Sequence, residues 1–300
     1  MKVAQIFARG GAMKYAVLGF LICGRMSGQT LQVAQKTIHK NISSAGISKL
    51  VIGSEKADIE VHAWTKAEIK VTIELSASHS EKSVTLEDLE KVMLIADKEK
   101  KIFYLRDFVL LKGKDKKPES NLRARYKVYA PAGMSLDIDN SFGVVTLKDF
   151  NGEISLKTKF CRINMSRLSG KTNLITRFGN LEAFDLSGNL DLSSNHTQII
   201  LRQLSGKVRL STEYGSLQLE PASKLVSLDL RSKKTTVDLV CPEWKKYSYA
   251  IKGAYSKFSL PAGFKTLSEA DGNQELSYHS VREEALLKIE TEFAHLSVRQ

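Results

Sequence analysis

Five prolines, three cysteines and two tryptophans are all that 300 residues supply of the types that stiffen, staple or anchor a fold. So few prolines exclude collagen-like and proline-rich linker architectures. So few cysteines exclude a disulfide-dense scaffold, and the absence of CxxC or zinc-ligand spacing removes the usual metal motifs. The six histidines, His39, His62, His79, His196, His279 and His295, are scattered and none forms HxxxH. GxSxG, a P-loop and a strand-linked GxGxxG are also missing, so no catalytic residue, metal ligand or cofactor is implied. Basic residues outnumber acidic ones and give a formal net charge of +12. No tight Lys/Arg cluster with interleaved aromatics accompanies that charge, which argues against a nucleic-acid partner.

The N-terminus has the form of a secretory signal. Lys2, Arg9, Lys14 and Arg25 stand before Gly28 without an acid among them. An apolar run from Tyr15 to Cys23 leads to Ser27-Gly28-Gln29, and either Met1 or Met13 can begin such a segment. The run is shorter than the roughly 20 residues that span a bilayer, and no later segment is apolar enough to do so. Leu21-Ile22 before Cys23 departs from the small residues that lipoprotein processing favours. The sequence therefore predicts a signal peptide over 1–28 and an exported protein of the periplasm or cell surface, with a charge of +8 once residues 1–28 are removed. That charge favours anionic partners. Cys161 and Cys241 remain, and an exported protein can pair them.

What the chain does have is a period. Gly152, Gly170, Gly188 and Gly206 recur at one fixed interval, each preceded two positions earlier by Phe150, Leu168, Leu186 or Leu204. Further columns keep step: Leu136, Ile154, Thr172, Leu190, Val208; then Ile138, Leu156, Leu174, Leu192, Leu210; then Val145, Ile163, Leu181, Ile199; then Leu147, Met165, Ala183, Leu201. Polar residues alternate between them, so each unit holds two short strands with one apolar side. Two strands per unit in fixed register predict a parallel β-solenoid of about 18 residues per rung, whose coils stack at about 4.8 Å. An antiparallel meander is the weaker alternative, because Asn-Gly and Asp-Gly turn pairs are few. Phe142, Phe160, Phe178, His196 and Tyr214 form another column, read as an internal aromatic ladder at a coil corner. Cys161 falls in a slot shared with Gly143, Gly179 and Gly215, which suits a small buried residue.

Residues 29–125 read as a strand-rich cap. Ile69 to Leu75 alternates as a half-buried strand does, Thr85 with Asp88 resembles a capping box opening a short helix over 85–92, and 93–111 reads as a hairpin turning at Asp97–Lys100. Residues 126–300 are assigned to the solenoid, with Leu286–Glu290 and His295–Val298 as closing strands.

Tyr126 to Pro131 with Gly133, then Asn140-Ser141-Phe142-Gly143-Val144-Val145, then Leu147-Lys148-Asp149-Phe150-Asn151-Gly152 resemble the bacterial putative-adhesin family with β-strand repeats. The resemblance covers about 42–300 and is most specific over 126–220. It implies exported, solenoid-like proteins without an assigned molecular function. Cys161, and His196-Thr197, depart from the Phe-Gly motif, which marks that motif as structural.

Two further features bear on function. Asp149, Arg167 and Asp185 share one column with Gln203, three residues before each periodic glycine; they are the candidate ligand-facing residues, and equally form a surface charge ladder. Asp137 and Asp139 flank Ile138 on one face without further cation ligands. The expectation is a non-enzymatic, adhesin-like binding or scaffold protein that engages an anionic glycan or another envelope protein. The alternatives are a polysaccharide lyase or hydrolase using acidic residues on one solenoid face, and a purely structural envelope protein.

Overall fold

The computed structural model describes residues 15–16, 31–113, 115–282 and 285–300. The segment over 1–28 expected as a signal peptide, with Cys23 and both candidate start methionines, lies outside the described residues apart from β1 (Tyr15–Ala16), which runs antiparallel to β2 (Gln32–Ser43).

At the centre, β8 (Ser135–Lys148), β9 (Ile154–Lys159), β10 (Cys161–Leu168), β11 (Lys171–Leu186) and β12 (Asn189–Val240) coil and stack in parallel. Ile163 pairs with Leu181, Leu174 with Leu192 and Leu186 with Leu204, so each residue faces the one a sequence period later. Side chains of equal position therefore pile up on each other. The columns Ile138, Leu156, Leu174, Leu192, Leu210 and Val145, Ile163, Leu181, Ile199 are at most 1% exposed. Burying each such side chain contributes about 1.5–3 kcal/mol, so the stack itself is the core. The periodic glycines answer a different demand. A Cβ on Gly170 would stand 2.2 Å from the Gly152 carbonyl oxygen, and one on Gly206 2.1 Å from that of Gly188. Successive coils approach there backbone to backbone, which leaves no room for a side chain.

A buried polar column also runs inside the stack. Asn140, Thr158, Thr176, Ser194, Thr212 and Ser232 are 0–7% exposed, and the Thr158 hydroxyl donates to that of Thr176 at 2.9 Å. Asn140 Nδ2 donates to the Ala57 and Phe142 carbonyls at 2.8 and 3.2 Å.

At both ends the stacking order departs from the chain order. β3 (Lys49–Trp64), read from the sequence as part of the cap, lies parallel to β8 on one side, with Ile59 opposite Val145. On its other side it meets β6 (Ile102–Val109) and β7 (Asn121–Pro131), also in parallel. An early segment is thus tucked beneath a later one. Antiparallel strands finish this end: β4 (Glu68–His79) on β7, β2 on β4, and β5 (Val92–Glu99) on β6. At the other end β17 (Leu286–Glu292) and β18 (His295–Arg299) slot between residues 227–240 of β12 and the coil of β13 (Ser248–Ala254) and β14 (Lys257–Ser259). The closing strands are therefore one coil in from the end. The outermost coil is capped by β16 (Asn273–Tyr278), antiparallel to β13 and paired to β15 (Lys265–Ala270).

Two local expectations change. Helix α1 (Lys82–Glu90) begins ahead of Thr85, and Glu81 caps it without a side-chain hydrogen bond. Thr85 sits inside the helix and donates back to the Glu81 carbonyl at 2.9 Å, as a mid-helix threonine does. Asp88, 3% exposed, accepts the backbone N–H groups of Glu119 and Ser120 at 2.9 and 2.8 Å and the Lys91 ammonium at 3.0 Å, so it fastens the 110–120 loop. Cys161 and Cys241 are buried free thiols in different coils; desolvation raises each to about 11.

Candidate functional site

Each central coil turns two corners, and a non-glycine residue in the left-handed region makes each turn. One corner is built by Phe160, Phe178, His196 and Tyr214, with φ of 52–54°; the other by Asp149, Arg167, Asp185 and Gln203, with φ of 53–69°. A left-handed non-glycine residue costs about 1–2 kcal/mol, so each corner needs compensation.

At the first corner the compensation is stacking. Rings of Phe142, Phe160, Phe178, His196 and Tyr214 follow one another with centroids 5.2, 5.0, 5.0 and 4.7 Å apart and planes within 25°. The ladder is external, contrary to the sequence reading: Phe142, Phe160 and Phe178 are 38–45% exposed and His196 is exposed. The left-handed turn aims the side chain away from the coil, and the interior beneath is filled by the Asn/Thr/Ser column. The corner continues past Tyr214. Lys234, φ 47°, donates to the Tyr214 hydroxyl at 3.2 Å, and Phe293 stacks on Tyr255 at 5.2 Å in the two last coils.

The surroundings of this ladder are polar and basic. Lys159 stands over the Phe160 ring, 5.4 Å from its centroid. Arg177 precedes Phe178, and Arg162, Asn180 and Gln198 follow the corner on successive coils, all exposed. Arg162, Asn180 and Gln198 line, with Phe160 and Phe178, a shallow open depression of about 740 Å³. Lys159, Arg162 and Arg177 have no carboxylate partner among the described residues. The acid at the rim, Asp58, accepts the Val144 N–H at 3.0 Å. A larger depression of about 1150 Å³ near the N-terminal end is lined by Lys56, Arg106, Lys117 and Arg123 against Glu55, Asp107, Asp137 and Asp139, so its charges balance.

The sequence-derived candidates occupy the other corner. Arg167 binds Asp149 through two hydrogen bonds, the second from a terminal guanidinium nitrogen at 3.0 Å, and this holds the Asp149 carboxyl below the usual carboxylate range. Asp185 is exposed one coil further on and adds its field to Arg167. Asp137 accepts Lys49 Nζ at 2.6 Å. Trp244 is 2% exposed and belongs to the core; Trp64 is half-buried, and its indole donates to the Glu68 carbonyl at 2.8 Å. Among the described residues no group of three or more His, Cys, Asp and Glu side chains is gathered as a metal site. The basic residues beside the ladder were not singled out from the sequence, although Lys159, Arg162 and Arg177 flank the Phe-Gly slots directly.

An all-β stack of coils with one exposed aromatic corner defines a solenoid-like domain. The Toastrack DUF4097 family matches residues 47–291, and the chain belongs to that family. Among solved structures it is similar to a putative adhesin from Bacteroides fragilis NCTC 9343, 11% identical over 88% of this chain and 97% of that one, with a TM-score of 0.34. A putative adhesin from Parabacteroides merdae ATCC 43184 is 9% identical over 88% and 97%, with a TM-score of 0.35. A putative lipid binding protein from Parabacteroides distasonis ATCC 8503 is 11% identical over 89% and 97%, with a TM-score of 0.30. Among curated proteins none matches the chain.

Proposed function

We propose that the protein is an exported, non-enzymatic binding module of the cell envelope, built on a parallel solenoid with one sequence period per rung, that holds an anionic glycan along its aromatic corner. The observation that carries this reading is the exposed ladder flanked by the unpaired Lys159, Arg162 and Arg177. Ring faces are covered by neighbouring rings, so a sugar meets ring edges, while carboxylates or sulfates meet the cations and hydroxyls meet the Asn180 and Gln198 amides. The coil repeat presents these groups at about 4.8 Å intervals, a spacing that suits a polymer laid across the coils. The Asp149–Arg167 corner is self-paired, so its charge is largely satisfied within the protein.

The test is binding of the chain from residue 29 onward to a panel of neutral and acidic polysaccharides. Acidic members bind, and Lys159→Gln with Arg162→Gln and Arg177→Gln weakens them by about 3-fold to 150-fold, since each exposed pair is worth about 0.2–1 kcal/mol. Asp149→Asn leaves affinity within about two-fold, because that corner does not take part. Shortened polysaccharide with new reducing or unsaturated ends would instead establish the lyase or hydrolase reading. No binding to any acidic polysaccharide would overturn the proposal.

A further inference from the structure

A different surface lies at the N-terminal end of the stack. In the β5–β6 hairpin Met93 is opposite Phe108 and Ile95 opposite Arg106. Met93, Ile95, Phe108 and Val109, with Leu110 and Leu111 just beyond β6, are each 37–43% exposed. Strand alternation sets Met93, Ile95, Phe108 and Leu110 on one face of the hairpin and Val109 on the other. Large apolar side chains left in water cost free energy, and monomeric soluble proteins seldom keep several together without a use for them. The patch is bordered by cations. Arg106, Lys112, Lys116 and Lys117 are exposed around it, and the described residues of the 106–117 stretch carry a net +2. Arg106 and Lys117 also face Glu55, Asp137 and Asp139 across the charge-balanced depression that Phe108, Val109 and Leu111 help to line, so Lys112 and Lys116 are the cations outside it. The two acids of that stretch are engaged: Asp107 accepts the Tyr126 hydroxyl at 2.5 Å and Asp115 accepts the Lys112 N–H at 2.7 Å.

From this juxtaposition we infer that the 93–117 hairpin and loop dock on an anionic lipid bilayer. Phe108, Leu110 and Leu111 enter the boundary between headgroups and acyl chains, and Lys112 and Lys116 meet lipid phosphates. Apolar residues beside lysines are the composition that interfacial insertion requires. The Leu110 N–H still donates to the Lys91 carbonyl at 2.9 Å, the last bond of the hairpin, and Leu111 lies just beyond it, so the Leu111 side chain can enter lipid without breaking strand pairing. A protein partner of the apolar patch would gain nothing from the lysine border unless it were itself acidic, and a glycan would gain nothing from the leucines. Arg123 lines both this end's depression and the one beside the ladder, but Phe178 lines only the latter, so substitution at Phe178 separates the two activities.

Vesicle flotation of the chain from residue 29 onward tests the inference, with phosphatidylcholine vesicles compared with an equal mixture of phosphatidylcholine and phosphatidylglycerol. The protein floats with the mixed vesicles, far less with the neutral ones, and added salt reduces the effect. Lys112→Gln with Lys116→Gln lowers partitioning about 25-fold, since a lysine near an anionic surface contributes about five-fold. Phe108→Ser with Leu111→Ser lowers it about ten-fold or more. Phe178→Ser leaves it unchanged. Circular dichroism checks folding, and the lysine substitutions, at exposed positions, keep the test intact should the apolar ones disturb the hairpin. Equal flotation with neutral vesicles, absence of flotation, or a Phe108/Leu111 variant whose only effect is to turn a dimer into a monomer in light scattering would each overturn the inference.

Discussion

Replacing Gly143 by alanine tests the stacking of β3 beneath β8 at a single atom. Gly143 has φ 125°, a region that L side chains rarely adopt. A Cβ there would stand 2.1 Å from the Ala57 carbonyl oxygen and 2.8 Å from its carbonyl carbon. Both are backbone atoms of β3, which cannot swing aside as a side chain can. The unfavourable φ costs about 1–3 kcal/mol. Relieving the overlap by moving a packed strand costs about 1–3 kcal/mol more. The expected loss is therefore about 2–6 kcal/mol, a large part of the roughly 5–15 kcal/mol that stabilises a typical domain. Urea unfolding followed by far-ultraviolet circular dichroism measures it, with Gly133→Ala as the control. At Gly133 the nearest atom to a Cβ is Asn151 Oδ1 at 3.6 Å, and the expected change is within about 0.5 kcal/mol. A loss below about 1 kcal/mol for Gly143→Ala would refute the reasoning, because β3 would then not lie against that corner.

Three further outcomes follow from the geometry. Phe178→Ala removes two ring contacts at 5.0 Å and lowers stability by about 1–3 kcal/mol, whereas Phe178→Tyr keeps both and stays within about 0.5 kcal/mol, both read from denaturant midpoints. Burial alone would raise the Asp88 carboxyl, but hydrogen bonds from Ser120, Lys91 and Glu119 outweigh it and hold it below the usual range. A depressed carboxylate adds stability that is fully present above about pH 4 and is lost as pH falls through its folded value, so Asp88→Asn flattens the acid limb of a stability–pH curve and costs about 2–3 kcal/mol at neutral pH. With both thiols raised to about 11 and buried, Cys161 and Cys241 in the chain from residue 29 onward resist a thiol reagent at pH 8 and react together once guanidinium unfolds the protein; rapid native labelling would count against their burial.

The centre of the fold was legible because every coil repeats the same demand. Leu156, Leu174 and Leu192 each bury one side chain above the last, and Gly152 and Gly170 each admit a backbone, so the same residue types return at the same interval. The ends were not legible. Alternation in Ile59-Glu60-Val61 declares a strand and says nothing of its neighbour, so the passage of β3 beneath β8 has no local signature. The ladder was legible as a column but not as an outer one, because exposure there depends on φ near 50° and not on hydrophobicity. The Asn140, Thr158, Thr176, Ser194 column carried the missing clue: a polar column inside leaves the ring column outside. The basic border of the ladder keeps the period only from Lys159 to Arg177 and gives way to Asn195 one coil on, as Arg162 gives way to Asn180, so it reads in the sequence as ordinary surface charge.

The insertion of β17 and β18 between residues 227–240 and β13–β14 has a kinetic meaning. Simple solenoids can grow from one end, each repeat settling on a finished neighbour. Here the coil that fills the gap is made after both of its neighbours, and until it arrives two strand edges face an empty slot. Asp238 waits in that slot for Ser297, which donates to it at 2.7 Å, and for the guanidinium of Arg299. Completion is therefore a long-range event of high contact order, slow relative to the local coiling that precedes it. A chain cut short before β17 would be left with open edges at its C-terminal end, prone to pair with another copy. β17 and β18 thus act as a latch that closes the stack from within.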